Sequence, residues 1–429
     1  MIRTQFKILI LLGFFLSIFA HANCTKVGNF LATDGTTAPI VFGKVNLTSL
    51  YLQPVGSLMG SAVVPPTSYT YGGANASTVF WECDLTDLPN IQFLVATNGD
   101  DRVGGYWDLG GLYDGLPNVY ATYYKYVGLK QTMDGVVLTR YWKSLPVKNY
   151  QTVGSKIRIR LQDIPSLYAE LYRVSRLAPQ SGSGSAYCGT GIDNQITVGS
   201  YTCIQPNAYI QLKGPGLTSD NVGEDSNTNY RFWGVNNGIG YGMRTGNSLS
   251  NQPTCVARNA TPIVFFNTIN TLALGANQSV QENFNVSIEC SNQVTSGTAS
   301  NQTAIGIQTS NGAFAAAQQL GLVNAQNGVT ALLSDNYTDA QSAKGVGIFL
   351  KNTNTGTDMN FVGQPGLAGG GTAAGWYPVL SGAQTGASTE SGYTHYLHNF
   401  TAILKKLPGT EPIKAGKVNS TAYVLVKVQ

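Results

Sequence analysis

Short runs of alternating apolar and polar residues recur along the chain, separated by turns rich in Gly, Asn, Asp and Pro. The clearest run is KIRIRLQDI from Lys156, whose apolar residues Ile157, Ile159 and Leu161 share one face. A two-residue period is typical of a β-strand with one buried face. The other runs are TVFWECDL from Thr78, IQFLVAT from Ile91, VYATYYKYVGLK from Val119, GVVLTRYW from Gly135, ITVGSYTC from Ile196 and AYIQLKG from Ala208. Many short strands with frequent turns predict an all-β protein. Only FAAAQQLGLV (Phe314 to Val323) is ambiguous with a helix.

The stretch IKAGKVNSTAYVLVKVQ, from Ile413 to Gln429, combines a turn with a long alternating run. On one face of this run lie the apolar residues Ala422, Val424, Val426 and Val428. Such a regular strand is unexpected here, because the ends of chains are usually poorly ordered. From alternation alone it is either the last strand of a finished sandwich or a surface that pairs with another chain.

The first 22 residues have the pattern of a secretory signal peptide. Arg3 and Lys7 precede an apolar run from Ile8 to Ala20, which is too short to span a bilayer, and AHA then offers small residues for cleavage. We expect cleavage after Ala22 and export of the remaining chain. A membrane anchor is one alternative. A lipoprotein acylated at Cys24 is another, although Asn23 precedes that cysteine where a small residue is usual.

Charge and composition narrow the functional classes. Without the predicted signal peptide, the chain has 24 basic and 22 acidic side chains. This charge balance is too even for a nucleic-acid-binding protein. Eighteen of the 23 tyrosines and four of the five tryptophans precede residue 250. The linker-like GNSLSNQP (Gly246 to Pro253) lies at this change, so we expect one domain over 23–250 and another over 251–429.

The six cysteines, at positions 24, 83, 188, 203, 255 and 290, all follow the predicted signal peptide. An even number in an exported chain predicts disulfide bonds, and no CxxC or Cys-His spacing suggests zinc. Six cysteines allow fifteen pairings, so spacing alone leaves the connectivity open.

The second half carries a specific order of motifs. CVARNATPIVF begins at Cys255, FNVSIEC ends at Cys290, KGVGIFLKN begins at Lys344, and FTAILKKL from Phe400 precedes the final alternating strand. This order resembles the pilin domain of chaperone-usher fimbrial subunits, over roughly residues 253–429. One departure is Val428, where many of these subunits have an aromatic residue next to last.

The resemblance implies an immunoglobulin-like sandwich that lacks its last strand. Its final strand, with the apolar face Ala422, Val424, Val426 and Val428, would be one edge of an open groove. A periplasmic chaperone fills such a groove first and a neighbouring subunit fills it later, during assembly at an outer-membrane usher. The resemblance also implies a Cys255–Cys290 disulfide. We expect Cys188–Cys203 as the next pair, because these residues flank a short strand and turn, and this leaves Cys24 with Cys83.

Ordinary subunits of this family carry a short donor strand before the first pilin cysteine, but here some 230 residues precede it. The chain would then receive a strand and donate none, which is the arrangement of two-domain tip adhesins at the bacterial cell surface. Their first domain is usually a lectin, so the resemblance implies a host glycan or glycoprotein as ligand. The alternative is a structural subunit or cap whose first half binds protein.

The stretch NGDDRVGGYWDLGGLYDGLPNVYATYY (Asn98 to Tyr124) concentrates aromatic and polar residues suited to sugars, because flat rings stack on C–H groups and fixed polar groups bind hydroxyls. The predicted ligand-binding residues are Asp101, Arg102, Tyr106, Trp107, Asp108, Tyr113, Asp114 and Asn118. The alternative is a structured loop that caps the core. A second candidate stretch, Thr218 to Gly238, contains Asp225, Asn229, Arg231 and Trp233.

An enzyme is not expected. After the predicted signal peptide the only histidines are His395 and His398, both in the second half, so the first half cannot build a Ser-His pair. Neither a cofactor nor a metal is expected, since the two histidines fall on opposite faces of a strand.

Overall fold

The structure is a computed structural model that describes residues 23–31, 33–180, 188, 192–233, 237–363, 370–409 and 412–429. The predicted signal peptide lies outside the described residues. Within these ranges, no helix is long and apolar enough to cross a bilayer.

In the described part of the first half, 17 short strands surround a large core and a smaller buried cluster. They are β1 (Thr25–Lys26), β2 (Thr37–Pro39), β3 (Gly43–Asn46), β4 (Leu58–Val64), β5 (Val79–Asp84), β6 (Gln92–Thr97), β7 (Tyr120–Ala121), β8 (Val127–Met133), β9 (Val136–Val137), β10 (Lys143–Pro146), β11 (Gln151–Val153), β12 (Lys156–Arg160), β13 (Leu167–Arg173), β14 (Gly199–Ser200), β15 (Ala208–Lys213), β16 (Ile239–Gly242) and β17 (Asn247–Ser250). The sheets have the orders β1-β5-β12-β11, β10-β6-β15-β16-β2, β4-β13-β8-β7 and β14-β17-β3. In β12 the isoleucines are buried and the charged residues are partly exposed, as the alternation predicts.

The second half has two sheets packed on a second core. Its strands are β18 (Cys255–Ala260), β19 (Val280–Ser291), β20 (Thr303–Thr309), β21 (Gly328–Val329), β22 (Val346–Asn352), β23 (Asp358–Met359), β24 (Phe361–Val362), β25 (Tyr377–Pro378), β26 (Ala383–Gly386), β27 (Tyr393–Lys406) and β28 (Ala422–Val428). One sheet has the order β18-β19-β27-β22-β23, and the other has the order β21-β24-β20-β25, with β28 on β20. Among the described residues, two α-helices, α1 (Thr271–Gly275) and α2 (Asn311–Gln319), connect strands. The prediction of an all-β fold is confirmed, and the ambiguous stretch from Phe314 begins in α2.

All six cysteines form disulfides in the three expected pairs. Cys24 is bonded to Cys83, Cys188 to Cys203, and Cys255 to Cys290. The third pair joins the first residue of β18 to its register partner on β19. It therefore anchors the edge strand of the second half to the body of its sheet.

Segment 44–51 of the first half contacts the second half. The rings of Tyr51 and Tyr393 lie 4.6 Å apart. Tyr393 donates a hydrogen bond to Ser49 Oγ (2.8 Å), and Arg258 donates one to the carbonyl of Tyr51 (2.7 Å). We call the residues of these contacts the junction.

The second half contains a buried histidine, His398. His398 is 1% exposed, its Nε2 lies 2.8 Å from the carbonyl oxygen of Val379, and its ring is stacked on Phe400. Nδ1 is buried and has no hydrogen-bond partner within the described part of the chain. Burial lowers the pKa of His398, because the charged imidazolium would lose its water.

We therefore expect a pH-dependent stability. The neutral form is favoured in the folded state, so this stability is fully present above pH ~6.5, the ordinary histidine value. It is lost as the pH falls from there through the lowered folded pKa. Urea unfolding of the full chain at pH 7.5 and pH 5 measures this, and His398→Gln should remove part of the difference. An unchanged difference in His398→Gln would contradict the assignment.

Candidate strand-docking groove and ligand surface

β28 is a regular strand over its whole length. It pairs antiparallel with β20, from Thr303 opposite Val428 to Thr309 opposite Ala422. Val424 and Val426 pack against the core of the second half, and Val428 is 2% exposed. Three of the four residues in the predicted apolar face are thus covered, while Ala422 is exposed.

The opposite face of β28 has other neighbours. Leu425 packs on a small cluster that includes Val362 and Trp376. Burial, followed by the nearby charge of Lys44 from the first half, lowers the pKa of Lys427. Lys44 itself donates hydrogen bonds to Asn301 Oδ1 and to the carbonyl of Gln429, both at 2.8 Å. This face of β28 is therefore adjacent to the first half.

Two strand edges of the sandwich are left without strand partners. Within the described ranges, β28 pairs with β20 alone and β18 pairs with β19 alone. The two strands belong to different sheets yet lie near each other. A strand with one unpaired edge presents alternate N–H and C=O groups to whatever lies beside it. We call these two unpaired edges, on β18 and β28, the groove.

The segment that follows β18 adds exposed apolar surface. Ile263 and Phe265 are 61% and 78% exposed, while Val264 and Phe266 pack against the core. Alternate residues of one short segment thus face the core and the solvent. Large exposed apolar side chains beside an open edge favour association with another chain.

Four of the predicted ligand-binding residues have structural partners inside the first half. Asp101 is buried and accepts a hydrogen bond from the backbone N–H of Val103 at 2.8 Å. Arg102 is also buried, it donates to the carbonyl of Ala178 at 3.2 Å, and burial lowers its pKa. Charged side chains are buried only when they are paired, so these two hold the loop in place.

Asp108 and Asp114 organise the same loop. Asp108 accepts backbone hydrogen bonds from Gly111, Asn118 and Val119, each at 2.9 Å. Asp114 accepts one from the backbone of Ser175 at 3.0 Å. Asp108 thus satisfies backbone donors within the loop, while Asp114 ties the loop to the backbone of Ser175.

The predicted aromatic residues are more accessible. Tyr113 is 50% exposed. Tyr106 and Trp107 are half-buried, with their rings edge to face at 5.1 Å, and Trp107 packs against the core. Asn118 is also partly exposed and has a positive φ of 65°, which asparagine tolerates well.

The two candidate stretches meet at Arg140, which the sequence did not single out. Its guanidinium lies 4.2 Å from the ring centroid of Tyr106 and 5.3 Å from that of Tyr141. It also forms an ion pair with Asp225 at 2.9 Å. We call these four residues, with Trp107, the Arg140 surface. In the sequence, this surface is indicated only by Arg140 itself, which lies between polar and aromatic residues in LTRYW.

The other members of the second stretch lie apart from this contact. Arg231 donates to the carbonyl of Ser219 at 3.1 Å, and Asn229 donates to Glu224. Trp233 packs against the buried rings of Tyr209 and Phe232. They stabilise the segment from Thr218 rather than joining the Arg140 surface.

The chain is similar to two solved structures at low sequence identity. The CupB6 tip adhesin from Pseudomonas aeruginosa is 13% identical, with 95% of each chain covered and a TM-score of 0.24. The P pilus rod subunit PapA is 14% identical over 41% of this chain and 93% of its own, with a TM-score of 0.22. At these TM-scores neither likeness supports a functional argument. No curated protein matches the sequence significantly.

Comparison with family sequence models is more specific. The family described as Fimbrial protein matches residues 245–429, which contain the groove, β28 and the Cys255–Cys290 disulfide. This agrees with the expectation of a non-enzymatic protein. The C-terminal region of this chain, residues 245–429, is therefore similar to the Fimbrial protein family.

Proposed function

We propose that the chain is the tip adhesin of a chaperone-usher fimbria, and that its second half is completed by a strand from another protein. The observation that carries the proposal is the pair of unpaired edges, β18 and β28, beside exposed Ile263 and Phe265. A periplasmic chaperone would occupy the groove first, and a neighbouring subunit would replace it at the usher. An inserted strand would pair with the backbone groups and cover the apolar surface together.

The tip position is supported by the segment immediately before Cys255. In many subunits this segment is donated to a neighbour, but here β17 lies between β14 and β3 in a sheet of the first half. Donating it would break that sheet. The chain would accordingly accept one strand and give none, with domains 23–250 and 251–429 after export through the periplasm.

The first half would then bind the ligand, a host glycan or glycoprotein. Its accessible rings, those of Tyr106, Trp107, Tyr113 and Tyr141, suit the C–H faces of sugars. The buried Asp101 and Arg102 would position the loop without touching the ligand. A cap whose first half binds only protein is the alternative, and a glycan array probed with the full chain distinguishes the two.

We expect Tyr113→Ala to weaken glycan binding roughly tenfold, which corresponds to about 1.4 kcal/mol. Because half of the side chain is exposed, the melting temperature should stay nearly unchanged. Trp107→Ala should weaken binding and also lower the melting temperature, since Trp107 packs on the core. Surface plasmon resonance and thermal melting test both variants. Full binding by both would exclude this loop from the ligand site.

A further inference from the structure

A shallow cleft of about 380 Å³ opens on the first half, away from the Arg140 surface. Its lining residues are Lys148, Asn149, Tyr150, Arg160, Gln162 and Asp163. A volume of this size is at the lower end of the range for small-molecule sites. None of its residues belongs to the two candidate stretches.

The strand register places the cleft away from the predicted ligand loop and away from the junction. On β10, Pro146 lies opposite Gln92, so residues 148–150 follow at the far end of β6 from Thr97 and the predicted ligand loop. On β13, Leu167 lies opposite Met133 of β8, and Arg173 ends the strand at the side where it donates to the carbonyl of Thr48, near the junction. The cleft precedes Leu167, a strand length of roughly 20 Å away.

The floor of the cleft is fixed. Arg160 makes a two-pronged contact with Asp163, from Nε at 2.8 Å and from Nη2 at 2.9 Å, and the Asp163 side chain is 5% exposed. This contact raises the pKa of Arg160. Tyr150 packs against the core of the first half. The backbone of Gln162 donates to the carbonyl of Ala76, while its side chain is exposed. A ligand would therefore meet Arg160, Asp163 and Tyr150 already oriented, which lowers the entropy lost on binding.

The charges of the cleft are balanced. Arg160 is paired with Asp163, and Lys148 is paired with Asp134 at 2.6 Å. An anionic ligand would have to compete with these carboxylates for the two cations. The amides of Asn149 and Gln162 can both donate and accept hydrogen bonds, as sugar hydroxyls do. Tyr150 supplies an aromatic ring, a group suited to the apolar face of a pyranose.

We propose that this cleft is a binding site for a neutral sugar of one or two pyranose rings, separate from the Arg140 surface. The inference rests on the proposed glycan-binding role of the first half and adds a second point of contact on the same domain. Two weak sites on one domain raise the avidity for a branched or clustered glycan.

The test uses the full chain and a panel of neutral and sialylated oligosaccharides, with ligand-observed NMR and titration calorimetry. We expect a neutral sugar whose affinity falls at least tenfold in Gln162→Ala and in Asn149→Ala, two exposed positions whose loss should leave the fold intact. Tyr113→Ala is the matched control on the other surface and should retain this binding.

The outcomes separate the two proposals. If neutral sugars bind the wild type and both cleft variants equally, the cleft is not their site, while the adhesin proposal stands. A preference for sialylated over neutral sugars that depends on Gln162 would overturn the assignment of a neutral ligand. If the wild type binds no member of the panel, the glycan-binding role fails and this inference fails with it.

Discussion

Val426→Asp is expected to abolish the capture of a complementing strand and to leave the chain to degradation in the periplasm. Val426 packs against the core of the second half and lies opposite Ile305 on β20. An unpaired carboxylate there would cost several kcal/mol, since it has no partner to offset its lost hydration. Pull-down with the periplasmic chaperone and the steady-state level of the chain measure both effects.

Lys427→Gln is the matched control one residue away, on the other face of β28. Burial and the proximity of Lys44 already disfavour the charge of Lys427, so its removal should be tolerated. Equal capture of Val426→Asp and the wild type would mean that β28 is an ordinary last strand in a finished sandwich.

The second large effect is expected when the halves are produced separately. Residues 23–250 should fold as a soluble monomer, because their core consists only of residues between 24 and 249. The Cys24–Cys83 and Cys188–Cys203 disulfides also lie entirely within this range. Residues 251–429 should aggregate when produced alone, because the groove is uncovered and the contacts that the junction and Lys44 make with the second half are lost as well. Size-exclusion chromatography and circular dichroism distinguish the two behaviours.

Addition of a strand-donating peptide during refolding is the control for the second half. It should recover a soluble, cooperatively melting domain, as expected if a missing strand is the only defect. A second half that is soluble and melts cooperatively with nothing added would contradict the incomplete-fold proposal.

The sequence predicted the features that depend on local pattern. The two-residue period of β12 placed Ile157 and Ile159 in the core, because burial of one sheet face imposes that period. The motif order from Cys255 implied the partner of that cysteine. The same local logic failed for VYATYYKYVGLK, which forms β7 and β8 with a turn between them. There Tyr126 has a φ of 61°, and Thr122 Oγ1 donates to the carbonyl of Val127.

The ligand loop was less predictable, because its side chains have partners far away in the sequence. A glycine-rich loop that contains Asp and Arg has the same composition whether these side chains bind a ligand or the backbone of the protein itself. Arg102 reaches Ala178, and Asp114 reaches Ser175. The convergence of Tyr106, Arg140 and Asp225 likewise depends on tertiary structure, which no period in the sequence encodes.

Hydrogen exchange at the backbone amides of β28 tests the central claim most directly. In the full chain without a partner, the alternate amides that face away from β20 should exchange rapidly, while those bonded to β20 stay protected. Addition of a complementing strand should protect the first set. If all β28 amides are already protected in the isolated chain and a strand changes none of them, the groove is closed and the second half needs no complementing strand.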